Sequence, residues 1–348
     1  MSLLPAHEVA LEIGGKGYLG WTQISIERAI DAMVGSFELT LSAKDKTGAE
    51  DWPIDDGAPC RVLLGGEVLI TGYVDSVNRT IADEDRGITV RGRDKAADMV
   101  DCSAIHKPGS WKNKTLEAIA RELSKPFGID IRITGNTGAP FKKFALQQGE
   151  TVFAAIDRMA RYRGLVAYSP GDGTVLIGNP DTGRRAGRIE EGVNVKSADA
   201  TRDTSERFSQ YIVKGQAAGD DDRHGKTVSQ VKGEARDGEI ARYRPLLVIG
   251  EEQTDSASAA KRANWEASVR SGRGKPLTVT VPGWLTDEGT VWAPGTRAAV
   301  KIPSCKVEGD LLIERVVTRR GAEEGTVTEL GLVPPEAWTQ LAEPEGKA

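Results

Sequence analysis

Apolar and polar residues alternate along the first hundred positions of the chain, in Val9-Leu11-Ile13, Ile24 and Ile26, Phe37-Leu39-Leu41, Val62-Leu64, Val68-Ile70 and Ile88-Val90. Gly- or Asp-rich turns separate these runs. A period of two sends successive side chains to opposite faces, so the pattern predicts half-buried antiparallel strands. A small barrel or sandwich is the economical way to close them.

The period changes between about Asp94 and Asn179. Leu116, Ile119, Ala120 and Leu123 fall at helical spacing behind Thr115, a candidate cap, with Pro126 as a stop and Ile129-Ile131-Ile133 as a following strand. Thr151 opens a second such unit: Val152, Ala155, Ile156, Met159 and Ala160 repeat the helical spacing, and Gly164 precedes a strand over Leu165–Tyr168. Thr115 to Thr151 and Gly128 to Gly164 share one offset of 36 residues. A helix–glycine–strand unit has been doubled, which predicts a compact α/β insert. Strand character returns in Arg207–Val213, followed by a charged, exposed loop within 219–238 that contains Asp220-Asp221-Asp222 and His224. A third helix is expected from Thr254, or Asp255, to Arg270, and Leu277-Val279-Val281 leads into more strands. Residues 343–348 read as a disordered tail.

A second and longer repeat joins the two ends. Trp52-Pro53-Ile54-Asp55-Asp56-Gly57, Arg61-Val62-Leu63-Leu64, Leu69-Ile70 and Val74 are echoed by Trp292-Ala293-Pro294-Gly295, Ala299-Val300-Lys301-Ile302, Leu312-Ile313 and Val316-Val317. Both copies then run into charged hairpins, at Asp83-Glu84-Asp85-Arg86-Gly87 and at Arg319–Gly325. A β module has been duplicated with other structure inserted between its copies. The expected fold is β-rich α+β: two similar small β-barrel domains flanking a helix-containing α/β insert. The expected division is 1–97 for the first barrel, 98–182 for the insert, 183–275 for strands with the charged loop and a helix, and 276–348 for the second barrel and tail.

Composition narrows the function. The chain has 348 residues with 39% hydrophobic and 28% charged residues, and its 40 glycines and 16 prolines are spread as in a turn-rich fold. A net charge of −5 argues against dedicated nucleic-acid binding, which depends on neutralising phosphates. The arginines Arg158, Arg161, Arg163, Arg184 and Arg185 sit among acids and read as solvated faces. No apolar run reaches the roughly 20 residues of a membrane span, and Met1–Glu8 lacks the pattern of a signal peptide. Cys60, Cys102 and Cys305 fit free buried thiols better than a disulfide framework.

Motifs with chemistry in them are few. Gly15-Lys16-Gly17-Tyr18-Leu19-Gly20 matches the glycine pattern of dinucleotide sites, but the alternating run Trp21–Ile26 follows where a phosphate-binding helix would have to open. A hairpin turn is the better reading, and no Walker-type loop is present. His7, His106 and His224 lie far apart and at no ligand spacing from a cysteine. Asp55-Asp56, Asp83-Glu84-Asp85 and Asp220-Asp221-Asp222 could pair carboxylates for glycan hydrolysis, yet all stand in predicted turns. Catalytic, cofactor-binding and metal residues are therefore all expected to be none. Trp52 and Trp292, at matching places in the repeat, point to structural work. The remaining tryptophans, Trp21, Trp111, Trp265, Trp284 and Trp338, read as core fillers or interface anchors.

Leu11-Glu12-Ile13-Gly14-Gly15, Gly20 through Asp31 and Ser36-Phe37-Glu38-Leu39 resemble the opening of the baseplate hub proteins of Mu-like contractile-tailed phages. Trp292-Ala293-Pro294-Gly295, Asp310-Leu311-Leu312-Ile313 and Thr328-Glu329-Leu330-Gly331-Leu332 resemble that family's last β domain. The resemblance implies a homotrimeric ring that joins a hexameric tail tube to a trimeric spike, with other baseplate proteins as further partners. It implies a virion component assembled in the host cytoplasm, no enzyme, and no cofactor; DNA could pass through the ring. Duplication gives the same arithmetic independently, since three chains of two like modules present six similar units. Alternatives are a peptidoglycan-binding module, because the Thr115 and Thr151 units faintly resemble lysin-motif repeats, and a tail-associated cell-wall hydrolase.

Overall fold

The computed structural model describes residues 7–43, 52–81, 86–163, 165–216, 231–253 and 256–339. The N-terminal alternating runs form seven strands: β1 (Val9–Ile13), β2 (Lys16–Tyr18), β3 (Gln23–Ala29), β4 (Ser36–Ala43), β5 (Pro59–Leu64), β6 (Glu67–Ile81) and β7 (Arg86–Asp94). They lie in the order β2-β1-β5-β6-β7-β4-β3, each neighbouring pair antiparallel. The inward residues Leu11, Ile24, Ile26, Leu39, Val62 and Val90 share one buried core with Trp21. Ile13 pairs with Lys16, which leaves Gly14 and Gly15 as a two-residue turn with φ of 58° and 81°. That is the glycine-dependent turn a twisted hairpin requires, so the glycine motif is a hairpin and the chain continues into β3.

The insert contains α1 (Ala97–Asp101), β8 (Ser110–Trp111), α2 (Leu116–Ser124), β9 (Ile131–Thr134), β10 (Phe144–Ala145), α3 (Val152–Tyr162), β11 (Val166–Tyr168) and β12 (Val175–Gly178). Both expected caps are made: the Thr115 hydroxyl accepts from the Ala118 amide and the Thr151 hydroxyl from the Ala154 amide, each at 3.2 Å. Each such cap stabilises its helix by about 1 kcal/mol. The apolar stripes of α2 and α3 meet in one cluster with Ile131, Ala167 and Ile177 from the three-stranded sheet β11-β12-β9.

The chain next lays down β13 (Arg185–Glu190) and β14 (Ser197–Ala200). It then leaves for a separate unit in which α4 (Ser256–Arg273) covers β15 (Gln210–Gln216), β16 (Val231–Arg236) and β17 (Pro245–Gln253) around Tyr211, Val213, Ala259 and Ala263. β16 occupies part of the segment expected to be loop: Val231, Gly233 and Ala235 alternate with charged residues, and Ala235 is buried. The last module is β18 (Leu277–Pro282), β19 (Arg297–Ile302), β20 (Val307–Gly321) and β21 (Gly325–Val333). β13 and β14 belong to its sheet, against β19 and β18, and share its core through Ala186 and Ile189. The clusters Asp83-Glu84-Asp85 and Asp220-Asp221-Asp222, with His224, the Thr254 or Asp255 cap, Gly164 and residues 343–348, lie outside the described residues.

The expectation of two closed barrels requires correction. Among the described residues one continuous 13-stranded sheet runs through both modules as an open path. The reason is the use of β3: its free side pairs with β20 of the other module and not with a strand of its own. The cysteines also differ from expectation. All three are free, but only Cys60 is buried, where burial pushes its thiol up to about 12, while Cys102 is exposed and Cys305 half-buried.

The insert is fastened to the first module at a buried acid. Asp94, at the end of β7, accepts from the Ala96 amide at 2.8 Å and from the Ser169 hydroxyl at 2.7 Å. Nearby, the Thr71 amide donates to the Gly171 carbonyl at 2.7 Å. Burial raises the Asp94 carboxyl from 3.8 to about 6. The folded protein thus holds this proton more tightly than the unfolded chain, so the contribution of Asp94 is most favourable below about pH 4 and diminishes as pH rises through 6. Urea unfolding of Asp94→Asn beside the parent between pH 4 and 6.5 should show the parent losing about 2 kcal/mol relative to the variant as pH rises. Parallel pH profiles would contradict this reading.

Candidate functional site at the joint between the two β modules

The repeat read from the ends of the chain is present strand by strand. β5, β6 and β7 have 6, 15 and 9 residues, and β19, β20 and β21 have 6, 15 and 9. Pro59 corresponds to Arg297, Val74 to Ile313 and Gly92 to Leu332, at separations of 238, 239 and 240 positions. The long strand bulges at the same place in both copies, between Val74 and Ser76 and between Ile313 and Arg315. The turn before it is also reproduced. Gly57 (φ 75°) donates to the Val74 carbonyl at 2.7 Å, and Gly295 (φ 81°) donates to the Ile313 carbonyl at 2.9 Å. Val74 returns a bond to Ala58 and Ile313 to Thr296. One difference stands out: β1 runs antiparallel to β5, whereas β13 runs parallel to β19.

The bulge allows β20 to serve two partners. Val307–Leu312 pairs with β19, and Arg315–Arg320 pairs with β3, from Arg315 opposite Ala29 to Arg320 opposite Ile24. Three side-chain interactions fix this joint. Arg315 Nε meets Glu27 Oε1 at 2.7 Å. Trp284 of the last module is buried in the core of the first and donates from its indole to the Arg319 carbonyl at 2.9 Å. Arg28 is only 6% exposed and donates through Nη2 to the Trp292 carbonyl at 2.7 Å, and its burial pushes the guanidinium down to about 10, still charged at neutral pH. A guanidinium in that setting is retained because the carbonyl meets it and the Glu67 carboxylate offsets its charge.

The residues with candidate chemistry are not brought together. Asp55 and Asp56 are exposed at the turn before Gly57. His7 is exposed and offers only its backbone carbonyl, to Arg320 at 3.0 Å. His106 stacks on Trp111 with ring centroids 4.6 Å apart, near Glu122. Among the described residues no three His, Cys, Asp or Glu side chains could share a metal ion. A groove of about 740 Å³ between α3 and α4 carries five arginines. Arg161 is neutralised there by Asp157, and Arg262 and Arg270 by Glu266. Trp52 and Trp292 do hold structural places, with Trp52 edge-on to Tyr18 and Trp21 at 5.2 and 5.1 Å and Trp292 buried.

Four family models match consecutive parts of the chain. They are the N-terminal domain of Mu phage baseplate assembly protein GpP-like proteins at 8–94, the second domain of baseplate hub protein gp44-like proteins at 96–179, the third domain of tail protein NMB1110-like proteins at 207–264, and the fourth domain of Mu phage baseplate assembly protein GpP at 255–341. The baseplate hub protein gp44 of Escherichia phage Mu is 31% identical over 98% of this chain and 92% of its own length. This chain belongs to the baseplate hub proteins of Mu-like phages. The hub is similar throughout to the 43 kDa tail protein of prophage MuSo2 from Shewanella oneidensis, with 33% identity, a TM-score of 0.83 and coverage of 96% of this chain and all of that one. It is also similar to the tail protein from Neisseria meningitidis MC58, with 25% identity, a TM-score of 0.80 and coverage of 97% and 99%. The hub family is one of structural tail components of the virion baseplate and not of enzymes, which removes the hydrolase alternative. The doubled helix–strand unit, for which glycan binding was the alternative, lies inside the gp44-like match.

Trp284 was read in the sequence as a core filler or interface anchor, and Arg28 was not singled out, although one signal was available. Ile24, Ile26 and Arg28 occupy the same face of β3, so the alternation itself places a cation inward. In this hub protein, Arg28→Met leaves the Trp292 carbonyl buried without its donor and should lower unfolding stability by about 1–3 kcal/mol in urea titrations. No measurable change would mean that the joint does not depend on it.

Proposed function

We propose that three copies of this hub form a ring that adapts the six-fold tail tube to the three-fold central spike. The observation that carries the proposal is the strand-by-strand duplication, joined edge to edge within one chain. Three chains then supply six related β modules around one axis, while the insert and the β15–β17 unit occur once per chain and keep three-fold spacing. One face can therefore meet a hexamer and the other a trimer without either partner being distorted. The division at 1–97, 98–182, 183–275 and 276–348 serves this reading once β13 and β14 are counted with the last module.

Tail tube protein, central spike protein and other baseplate proteins are the partners that follow, contacted through extended β surfaces and not a pocket. A net charge of −5 suits a channel that DNA passes without being held in sequence-specific contact. No described helix is long and apolar enough to cross a membrane. Assembly would take place in the host cytoplasm and the finished protein would sit in the tail baseplate. Native mass spectrometry of the purified chain should give three times the 37.3 kDa chain mass at micromolar concentration. A monomer under those conditions would overturn the proposal.

A further inference from the structure

Two of the strand edges that remain once the internal joint is made lie where that joint would be repeated. β14 pairs with β18 along one side, from Ser197 opposite Thr280 to Ala200 opposite Leu277, and with no strand on its other side among the described residues. β6 pairs with β5 only as far as Tyr73, so from Ser76 to Ile81 its side away from β7 is likewise unpaired among the described residues. Ser76–Ile81 is largely exposed, Ile81 at 79%, while in β14 Ser197 and Asp199 are exposed and Ala198 and Ala200 pack on the core; neither Ser76–Ile81 nor Ser197–Ala200 contains the proline or lysine that commonly blocks an edge.

These edges are the counterparts of the two strands that form the joint. β6 corresponds to β20, as Val74 does to Ile313. β14 stands to β18 as β3 stands to β4. Ser25 lies opposite Glu38 and Ile26 opposite Phe37, while Asp199 lies opposite Thr278 and Ala200 opposite Leu277. Phe37 and Leu277 are themselves equivalent, being opposite Gly92 and Leu332. The match continues past the strand end, because Glu27 is opposite Ser36 and the Thr201 amide donates to the Pro276 carbonyl at 3.0 Å. On this correspondence Arg28 becomes Arg202, 174 positions later, and Trp292 becomes Trp52, 240 positions earlier.

We infer that β14 of one copy adds antiparallel to the Ser76–Ile81 edge of β6 in a second copy, repeating between chains the joint that β3 and β20 make within one. The inference rests on the three-chain reading and gives it a contact. Carrying the register across places Asp199 opposite Thr80, Ala198 opposite Ile81, Ala200 opposite Arg79 and Arg202 opposite Val77. Arg202 then donates to the Trp52 carbonyl of the second copy, as Arg28 does to that of Trp292. The Arg202 end is unspent in the single chain. Arg202 is exposed and makes no side-chain hydrogen bond or ion pair among the described residues, and the Trp52 carbonyl receives the Ile54 amide at 2.8 Å and Arg79 Nη2 at 3.2 Å, the longer of which Arg202 would replace. The contact joins two different edges, so it is head-to-tail, and a closed ring leaves neither edge exposed.

The test uses the full chain with paired substitutions, Thr80→Cys with Asp199→Cys and, separately, Ile81→Cys with Ala198→Cys. Opposed residues in an antiparallel pair alternate between about 4.5 and 5.5 Å, so adjacent pairs sample both spacings within disulfide reach. Mild oxidation should give covalent dimers and trimers on a non-reducing gel for at least one pair. The parent, with Cys102 exposed, and each single variant should remain at chain mass. Arg202→Ala should raise the concentration at which the trimer dissociates by about tenfold, and an unchanged value would remove that bond from the contact. A trimer by native mass with no covalent ladder from either pair overturns the strand contact and leaves the three-fold reading standing. A monomer overturns both.

Discussion

The architecture depends on one strand changing partners. A bulge at Ile313–Arg315 lets β20 finish its pairing with β19 and present its second half to β3, so that two β modules far apart in sequence become one sheet. Main-chain hydrogen bonds supply the register, and the buried Arg28, the Glu27–Arg315 pair and Trp284 prevent slippage. A one-residue slip would turn Arg28 and Ile26 to the wrong face, and the inward cation would lose its carbonyl. The same bulge recurs in β6, where the second half of the strand has no such neighbour among the described residues, so the fold carries a repeated connector used once internally.

Much of this was legible in the residues because it is local. Alternation located the strands, Thr115 and Thr151 announced two helices, and Gly14-Gly15 made the hairpin that the dinucleotide pattern only imitated. The Trp-to-Gly turn and the lengths that follow it preserve the duplication because a glycine with positive φ and a bulge leave little freedom in sequence. What was not legible is long-range. Nothing in Gln23–Ala29 says which strand will lie beside it, since either edge of a strand offers the same amides and carbonyls. For the same reason β13 and β14 could not be assigned to the last module, from which they are separated in sequence by the β15–β17 unit. The expected barrels failed on this point: alternation predicts strands with one buried face but does not choose the closing pair.

Chemistry follows from the same economy. Buried and half-buried polar groups here hold modules together. Asp94 ties the insert to β7, Arg28 ties β3 to the last module, and Arg297 grips Asp181 where the chain leaves the insert. Acidic turns and separated histidines serve no common centre among the described residues, which suits a family of structural baseplate components. In the proposed ring, function rests on edges and repeated surfaces, where the relation between modules matters more than any single side chain.

That relation can be observed directly. A three-dimensional electron cryomicroscopy reconstruction of the purified hub, computed without imposed symmetry, should show a three-chain ring. In it the first and last modules of each chain are related by a rotation of about 60° around the ring axis, giving six equivalent lobes on one face and three on the other. A ring in which the two modules lie at different radii, or one built from another number of chains, would contradict the account.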